Sequence, residues 1–212
     1  MPHRGAIEAA ILAGGQSQRM GRDKAWLRLR DPAGPTLIEA LIELLRPEYE
    51  PLRILAGESP EPYAALGLAV QPDLRPRSGP LGGIHTALST AERDIVLVVA
   101  CDLPFLTRGF LRGLSSLLSG HDAVVPRPGD VPVPVCALYS RRCLPALEAR
   151  LQGGDLKAAD FLDDLSVYWV EGEELARLNP QGNALFNLNT PEDLEKAQSI
   201  LRAVNSKKSS SF

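Results

Sequence analysis

Short apolar runs separated by helical patterns constrain the fold of this 212-residue chain more than any other feature. The runs lie at residues 7–13, 52–56, 95–100, 123–125, 133–139 and 185–188. Most of them have the length of a buried strand, about four to eight residues. Between the first two runs, residues 36–45 place Leu37, Leu41, Leu44 and Leu45 on one helical face. Strands that alternate with helices predict an α/β fold, with a mostly parallel central sheet and helices on both faces.

Local signals add further elements to this pattern. Residues 107–118 repeat apolar side chains at helical spacing, as a second helix packed on the sheet would. Thr190 is followed by a proline and two acids, which predicts that the last helix begins there. Asp155 is expected to cap an amphipathic helix over residues 156–165. The prolines of the VPVPV run at residues 131–135 remove hydrogen-bond donors, so an edge strand is expected there.

Chain length and composition predict a single domain. A chain of 212 residues, 44% of them apolar, can bury a large core without disulfides or metals. No internal repeat or long linker divides the sequence. The domain is expected over residues 1–204, and the small polar residues 205–212 are expected to form a flexible tail.

Charge and cysteine content narrow the partners and the compartment. The net charge of −3 argues against a polyanion-binding surface, so nucleic acid is not an expected partner. Cys101, Cys136 and Cys143 are an odd number without a CxxC pair, which favours neither a disulfide framework nor a zinc site. No apolar run reaches the roughly 18 residues of a membrane span, and no targeting segment is evident. A cytoplasmic protein without a membrane partner is expected.

A glycine-rich segment after the first predicted strand carries the strongest functional signal. Residues 9–24 read AAILAGGQSQRMGRDK. Gly14 and Gly15 let backbone N–H groups approach anionic oxygens, and Arg19 and Lys24 add positive charge. The segment matches neither GxxxxGK[ST] nor GxGxxG. It predicts a phosphate-binding loop, with a glycine-rich surface turn and solvated basic residues as the alternative.

An acid stands at the end of the most apolar predicted strand. Asp102 closely follows the run at residues 95–100. A buried central strand brings such a carboxylate to the carboxyl edge of the sheet, where open α/β sheets bind ligands. There it could hold Mg²⁺, which prefers hard oxygen ligands and phosphate oxygens. The alternative is an acid that caps a turn.

The order of these residues resembles that of a known enzyme family. LAGGQSQRMGRDK at residues 12–24 resembles the opening signature LAGGxSxRMGxDK of the molybdenum cofactor guanylyltransferase family. Further segments follow in the family's order: Asp73, GPLGG at residues 79–83, the CDLP strand end at residues 101–104 and NLNTPEDL at residues 187–194. Residues 25–29 look like the short strand that the family has next. The resemblance covers about residues 6–203 and implies a Rossmann-like nucleotidyltransferase fold.

The resemblance also implies a reaction. The family transfers GMP from GTP to the terminal phosphate of molybdopterin and releases pyrophosphate. GTP and molybdopterin are then the small-molecule substrates, and Mg²⁺ is the cofactor. Hand-over of a labile product would involve transient contact with cofactor-assembly proteins or with recipient molybdoenzymes.

Roles for individual residues follow from the same resemblance. Lys24 and Arg19 are expected to neutralise the pyrophosphate side of the nucleotide, and Asp102 to hold Mg²⁺. The nucleotide-binding set implied by the family is Leu12, Ala13, Gly14, Gly15, Lys24, Asp73 and Asp102. Asn189 is expected to contact either the metal or the pterin, although an Asn at such a position can also complete a turn.

The sequence leaves two alternatives open: which base the nucleotide substrate carries, and whether the protein catalyses transfer or only binds a nucleotide. Gly15 favours the guanylyl type, because related cytidylyl enzymes tend to have LAAG. Residues 55–57, LAG, stand where many relatives carry an Asn that helps with the base. A molybdopterin cytidylyltransferase or a sugar-1-phosphate nucleotidyltransferase is therefore an alternative. A non-catalytic nucleotide-binding module is another, although Asp102 and Lys24 argue against it.

Overall fold

The structure is a computed structural model that describes residues 6–14, 23–29 and 32–209. Gly15 and Arg19, both expected at the site, lie outside the described residues. A central sheet of seven strands forms the middle layer. Its strands are β1 (Ile7–Leu12), β2 (Leu52–Leu55), β3 (Ala69–Gln71), β4 (Ile95–Ala100), β5 (Ala123–Pro126), β6 (Cys136–Ser140) and β7 (Val167–Val170).

The strand order is β3-β2-β1-β4-β6-β5-β7. Strand β6 runs antiparallel to β4 and to β5, and the other pairings are parallel. The carboxyl ends of β1, β2, β3 and β4 therefore meet at one edge of the sheet. The prediction of a mostly parallel α/β sheet is confirmed.

Helices cover both faces of this sheet. They are α1 (Leu37–Leu45), α2 (Gly79–Ser89), α3 (Arg108–Ser115), α4 (Leu144–Gly153), α5 (Gly172–Leu178) and α6 (Pro191–Ser209). One apolar cluster joins α1 and α3 to Ala9 and Ile11 of β1, and a second joins α2 and α4 to Ala10. Alternate residues of β1 thus face opposite layers, as the period of a strand requires. No helix within the described residues is long and apolar enough to cross a bilayer.

Capping residues set two of the predicted helix starts. Thr36 and Glu39 form a reciprocal capping box: Glu39 N donates to Thr36 Oγ1 at 3.3 Å, and Thr36 N donates to a Glu39 carboxylate oxygen at 2.7 Å. At α6, Asp193 N donates to Thr190 Oγ1 at 3.2 Å, and the helix begins at Pro191 as predicted. The helix continues to Ser209, into the segment that the sequence assigns to the tail.

Two strand predictions are wrong. The VPVPV run does not form an edge strand: β6 begins at Cys136, after the prolines, and lies between β4 and β5. Its ladder therefore uses only residues that retain an N–H group. Residues 185–188 form no strand either, since Leu188 packs in a small cluster with Leu27, Leu37 and Ala197 rather than in the sheet.

Two shorter predictions also need correction. Residues 156–165 hold only a 3-10 turn at Asp160–Asp164 instead of an amphipathic α-helix. Asp155 Oδ1 does accept a hydrogen bond from Lys157 N at 3.3 Å, as a cap would, but no α-helix follows, and Oδ2 accepts one from Arg150 of α4 at 2.5 Å. The expected short strand at residues 25–29 is a 3-10 turn at Lys24–Trp26, followed by an isolated bridge between Arg28 and Thr36.

A buried ion pair lies at the amino ends of the central strands. Arg53 Nη2 in β2 donates to the carboxylate of Glu8 in β1 and to the Ala87 carbonyl at 2.5 Å. The other carboxylate oxygen of Glu8 accepts hydrogen bonds from the backbone N–H groups of Glu92, at 2.7 Å, and Arg93, at 3.0 Å. Both oxygens of this fully buried carboxylate are therefore satisfied.

Candidate functional site

A pocket opens at the carboxyl edge of the sheet, next to β1 and β4. The chain adds β2 and β3 on one side of β1 and then returns to place β4 on the other side. Such a reversal leaves a crevice in which open α/β sheets bind ligands. The pocket has a volume of about 1070 Å³. The site residues predicted from the sequence that line it are Leu12, Ala13, Gly14, Lys24, Asp73, Asp102 and Asn189.

A lysine and two polar side chains from distant parts of the chain meet in this pocket. Lys24 Nζ donates to Asp102 Oδ2 at 3.1 Å and to Asn189 Oδ1 at 2.7 Å. Asp102 follows β4, Asn189 precedes α6, and Lys24 ends the glycine-rich segment and begins the 3-10 turn at Lys24–Trp26. The backbone carbonyl of Asp102 also accepts a hydrogen bond from Leu188 N at 3.0 Å, which joins the two loops. The arrangement fixes one positive charge at the carboxyl edge.

The two carboxylate oxygens of Asp102 differ in their hydrogen bonding. Its Oδ1 is buried and has no hydrogen-bond partner among the described residues. Buried polar atoms nearly always have a partner, so this oxygen marks a place for a cation or for a substrate donor. No group of three or more His, Cys, Asp or Glu side chains with metal-binding geometry occurs in residues 6–14, 23–29 and 32–209. A site with one carboxylate fits Mg²⁺, which often keeps water ligands and takes the rest of its shell from substrate phosphates.

Asp73 presents a second unsatisfied carboxylate to the same pocket. Its backbone N–H donates to the Gly57 carbonyl at 2.7 Å, which ties the loop after β3 to the loop after β2. Oδ1 of Asp73 is buried without a partner in the part of the chain that the structure describes. Burial raises the pKa of this carboxyl above its usual value. The unpartnered Oδ1 is available to accept a hydrogen bond from an N–H or O–H group of a ligand.

Close backbone contacts set the width of the pocket. Gly14 has a φ of +75°, and a Cβ atom added there would lie 2.4 Å from the Ala56 carbonyl oxygen. The loops after β1 and β2 can approach this closely only because residue 14 has no side chain. On the other side, a Cβ atom at Gly83 would lie 2.9 Å from Leu12 Cδ2, so α2 packs tightly against β1. Glycine at these two positions lets three elements converge on the site.

Other pocket residues were missed in the sequence. Glu58 and Ser59 follow β2, Arg77 follows β3, and all three line the pocket. Arg77 Nε donates to Glu58 Oε1 at 3.2 Å across the pocket rim. The rule that identified Asp102, a polar residue just beyond the carboxyl end of a strand, could have found Glu58. Asn187, which the sequence places with Asn189, also lines the pocket, although the segment is not a strand.

Comparison with known proteins identifies relatives over most of the chain. Residues 9–168 match the family model of the MobA-like NTP transferase domain. A probable molybdenum cofactor guanylyltransferase of Pelotomaculum thermopropionicum is 40% identical over 188 residues, which cover 89% of this chain and 90% of that protein. A molybdenum cofactor guanylyltransferase of Desulfosudis oleivorans is 32% identical, and the match covers 93% and 97% of the two chains.

Solved structures show the same architecture. The molybdopterin-guanine dinucleotide biosynthesis protein A of Archaeoglobus fulgidus superposes with a TM-score of 0.79 at 28% identity, covering 92% of this chain and 99% of that one. A 2-C-methyl-D-erythritol 4-phosphate cytidylyltransferase of Thermus thermophilus superposes with a TM-score of 0.67 at 20% identity, covering 92% and 98%. The second likeness concerns the fold alone.

Proposed function

The chain belongs to the MobA-like NTP transferase family and, within it, to the molybdenum cofactor guanylyltransferases, and from that premise we propose that it transfers GMP from GTP to the terminal phosphate of molybdopterin. An oxygen of the acceptor phosphate attacks the α-phosphorus of GTP. The bond from the α-phosphorus to the bridging oxygen breaks, and pyrophosphate leaves with that oxygen. The product is the guanine dinucleotide form of the cofactor.

The contact among Lys24, Asp102 and Asn189 carries this proposal. The two substrates are polyanions that repel each other, and negative charge grows on the leaving pyrophosphate. Catalysis therefore depends on positioning and on fixed positive charge. Lys24, held 3.1 Å from Asp102 and 2.7 Å from Asn189, supplies such a charge at the mouth of the crevice. Arg19, outside the described residues, is proposed as a second basic group on the pyrophosphate side.

Asp102 is the proposed metal ligand. Its unpartnered Oδ1 offers one hard oxygen, and Asn189 could add an amide oxygen if Lys24 moves toward the phosphates. When bound, Mg²⁺ would neutralise phosphate oxygens of the nucleotide. The protein contribution is to hold the carboxylate rigidly, through the β4 backbone and through the hydrogen bond from Leu188 N.

The nucleotide is proposed to lie along the loops after β1, β2 and β3. The backbone of Leu12, Ala13, Gly14 and Gly15 would approach the phosphates. Asp73, with its unsatisfied Oδ1, would accept a hydrogen bond from the nucleoside. The N-terminus of α2, at Gly79 and Pro80, lines the same pocket and adds the positive end of a helix dipole.

We also propose a cytoplasmic location. Cys101, Cys136 and Cys143 form no disulfide in the structure. Unpaired thiols are typical of reducing compartments. A labile pterin product further favours transient contact with cofactor-assembly proteins or recipient molybdoenzymes as the route of delivery.

Turnover with purified substrates tests the proposed function. The protein is incubated with molybdopterin, Mg²⁺ and one of GTP, CTP, ATP or UTP, and pyrophosphate release and dinucleotide mass are measured together. We expect product with GTP only, and only when molybdopterin is present. A preference for CTP would replace the proposal with cytidylyl transfer. Binding of GTP without pyrophosphate release under these conditions would instead identify a binding module.

A further inference from the structure

A buried tyrosine contacts both ends of the turn that carries Lys24. Tyr63 lies in the 3-10 turn at Glu61–Leu66, after β2, and is only 1% exposed. Its hydroxyl donates a hydrogen bond to Oδ2 of Asp23, the residue before Lys24. Its ring stacks on Trp26, two residues after Lys24, with ring centroids 5.5 Å apart and planes 23° apart. The hydroxyl of Tyr63 thus contacts the residue before Lys24, and its ring contacts a residue shortly after it.

The Asp23 carboxylate is fully engaged by these contacts. Oδ1 accepts a hydrogen bond from Ala25 N at 3.0 Å, which caps the turn at Lys24–Trp26. Oδ2 accepts the hydrogen bond from Tyr63. At the other end, Leu27 N donates to the Lys24 carbonyl at 2.9 Å and closes the turn. The backbone that bears Lys24 is therefore held by its own cap and by a tyrosine 40 residues away.

We propose that Tyr63 is a positioning residue for Lys24: through Asp23 and Trp26 it holds the turn so that the ammonium group lies between Asp102 and Asn189. The inference rests on the proposed function, because it assigns Tyr63 to the transfer step through Lys24. Tyr63 itself does not line the pocket.

The chemistry of the contact explains why a hydroxyl, and not packing alone, is needed. Burial and the neighbouring Asp23 carboxylate raise the pKa of the Tyr63 phenol, so the group stays protonated and remains a donor. Hydrogen bonds to a carboxylate are roughly twice as strong as neutral ones. Without this donor, the Asp23 carboxylate keeps only the bond from Ala25 N, and the hydrogen bond that joins the Lys24 turn to the segment after β2 is lost.

Tyr63→Phe tests the inference, because it retains the stacking on Trp26 and removes only the hydroxyl. A displacement of about 1 Å in a catalytic group can lower the rate by about 10²-fold. We expect kcat to fall roughly 10-fold to 100-fold, with a much smaller change in KM for GTP, since the lost interaction acts on the transition state. Tyr49→Phe is the matched control: Tyr49 is 5% exposed and its hydroxyl bonds Ser115 Oγ at 3.0 Å, away from the pocket.

A double-mutant cycle with Lys24→Ala separates positioning from general stability. If Tyr63 acts through Lys24, then Tyr63→Phe lowers the single-turnover rate less than about 2-fold in the Lys24→Ala background, because the two losses are not additive. An equal loss in both backgrounds, or a similar loss in Tyr49→Phe, would overturn the inference. So would wild-type kcat in Tyr63→Phe.

A second variant keeps the test open if Tyr63→Phe does not fold. Asp23→Asn keeps an oxygen for the Ala25 cap and removes the charge that Tyr63 binds, and it is expected to give the same loss of kcat and the same non-additivity with Lys24→Ala. Wild-type kcat in Asp23→Asn would also overturn the inference. The unsubstituted protein is assayed in parallel. If it fails to turn over, the proposed function is at fault; if it turns over and the variants match it, only the role of Tyr63 is lost.

Discussion

Two acid–base pairs stand at opposite edges of the same sheet, and they are built differently. At the amino edge, Arg53 and Glu8 are 8% and 0% exposed, and both oxygens of Glu8 have partners. At the carboxyl edge, Lys24 and Asp102 are 15% and 18% exposed, and Asp102 Oδ1 has none among the described residues. The carboxylate is therefore what distinguishes the two pairs: both oxygens of Glu8 are hydrogen-bonded, whereas one oxygen of Asp102 is left for a ligand.

The two pairs also differ in what they contribute to the free energy of the folded state. A buried carboxylate that is fully hydrogen-bonded is hard to remove, because its partner is then left charged and buried. An unsatisfied carboxylate in a pocket is a liability to the folded state that a ligand relieves. The two edges should therefore respond in opposite ways: changes at the amino edge lower stability, and changes at the carboxyl edge lower activity.

Removal of Glu8 should have the largest effect. Glu8→Ala leaves Arg53 buried without its counter-charge and frees the N–H groups of Glu92 and Arg93. We expect the free energy of unfolding to fall by about 3–5 kcal/mol, measured by urea denaturation. Glu92→Ala, an exposed neighbour, is the control and should change stability by less than about 0.5 kcal/mol. A loss below about 1 kcal/mol for Glu8→Ala would remove the contrast between the edges.

Removal of the Asp102 carboxylate should abolish turnover and spare the fold. Loss of an electrostatic group at the reacting centre typically costs about 10²–10³-fold in kcat. We expect Asp102→Ala to lose at least this much, and to regain nothing when Mg²⁺ is raised, because the missing group is the proposed metal ligand. The exposed Asp163→Ala variant should match the wild-type rate. Recovery of activity at high Mg²⁺ would show that other groups hold the metal.

Lys24→Ala should also act on activity, and to a smaller extent. It removes the ammonium that contacts Asp102 and Asn189 but leaves the carboxylate in place. We expect kcat to fall about 10²-fold and the unfolding free energy to fall by no more than about 1 kcal/mol, well short of the loss expected for Glu8→Ala, because this ion pair is partly exposed. Steady-state kinetics and urea denaturation measure the two quantities, with the exposed Lys157→Ala as control. A loss of stability without a loss of kcat would make this pair resemble the one at the amino edge.

The smallest effect is expected at Asp73, and it depends on pH. Burial raises the folded-state pKa of this carboxyl above its ordinary value of 3.8, so the folded state binds the proton more tightly than the unfolded chain does. Its contribution to stability is then full below that value and is lost as the pH rises through the folded-state pKa. Asp73→Asn should raise stability by about 0.5–2 kcal/mol at neutral pH, and the gain should shrink as the pH falls through the folded-state pKa and be absent below the ordinary value of 3.8. A gain that does not change with pH would refute the burial argument.

Sequence patterns predict those strands, helices and site residues that are determined by residues close together in the chain. Strand β4 and Asp102 follow from a buried apolar run that ends in an acid, and the start of α6 follows from Thr190 and its proline. Strands β3 and β7 were missed because they are short and only partly buried, and α5 was also missed. The antiparallel insertion of β6 depends on which strands it meets, and its own residues do not encode them.

Prediction of the candidate site from the sequence meets the same limit, because its contacts join residues far apart in the chain. Residues 12–14, Lys24, Asp73, Asp102 and Asn189 were identified by a family resemblance and converge on one pocket. Their pairing was not predictable, since Lys24 and Asn189 are 165 residues apart. The contact between Tyr63 and Asp23 has no local signal either, because a buried tyrosine reads as an ordinary core residue. What the sequence conceals is the set of long-range hydrogen bonds.

The hydrogen bond from Leu188 N to the Asp102 carbonyl bears on how this protein can be dissected. The family model ends at residue 168, whereas Leu188 and Asn189 lie beyond that limit and hold the carboxylate and the lysine from the far side. A fragment cut at the family boundary would keep all seven strands except the last two residues of β7, and would lose this support. We therefore expect an active fragment to extend beyond residue 168, where the match to the family model ends.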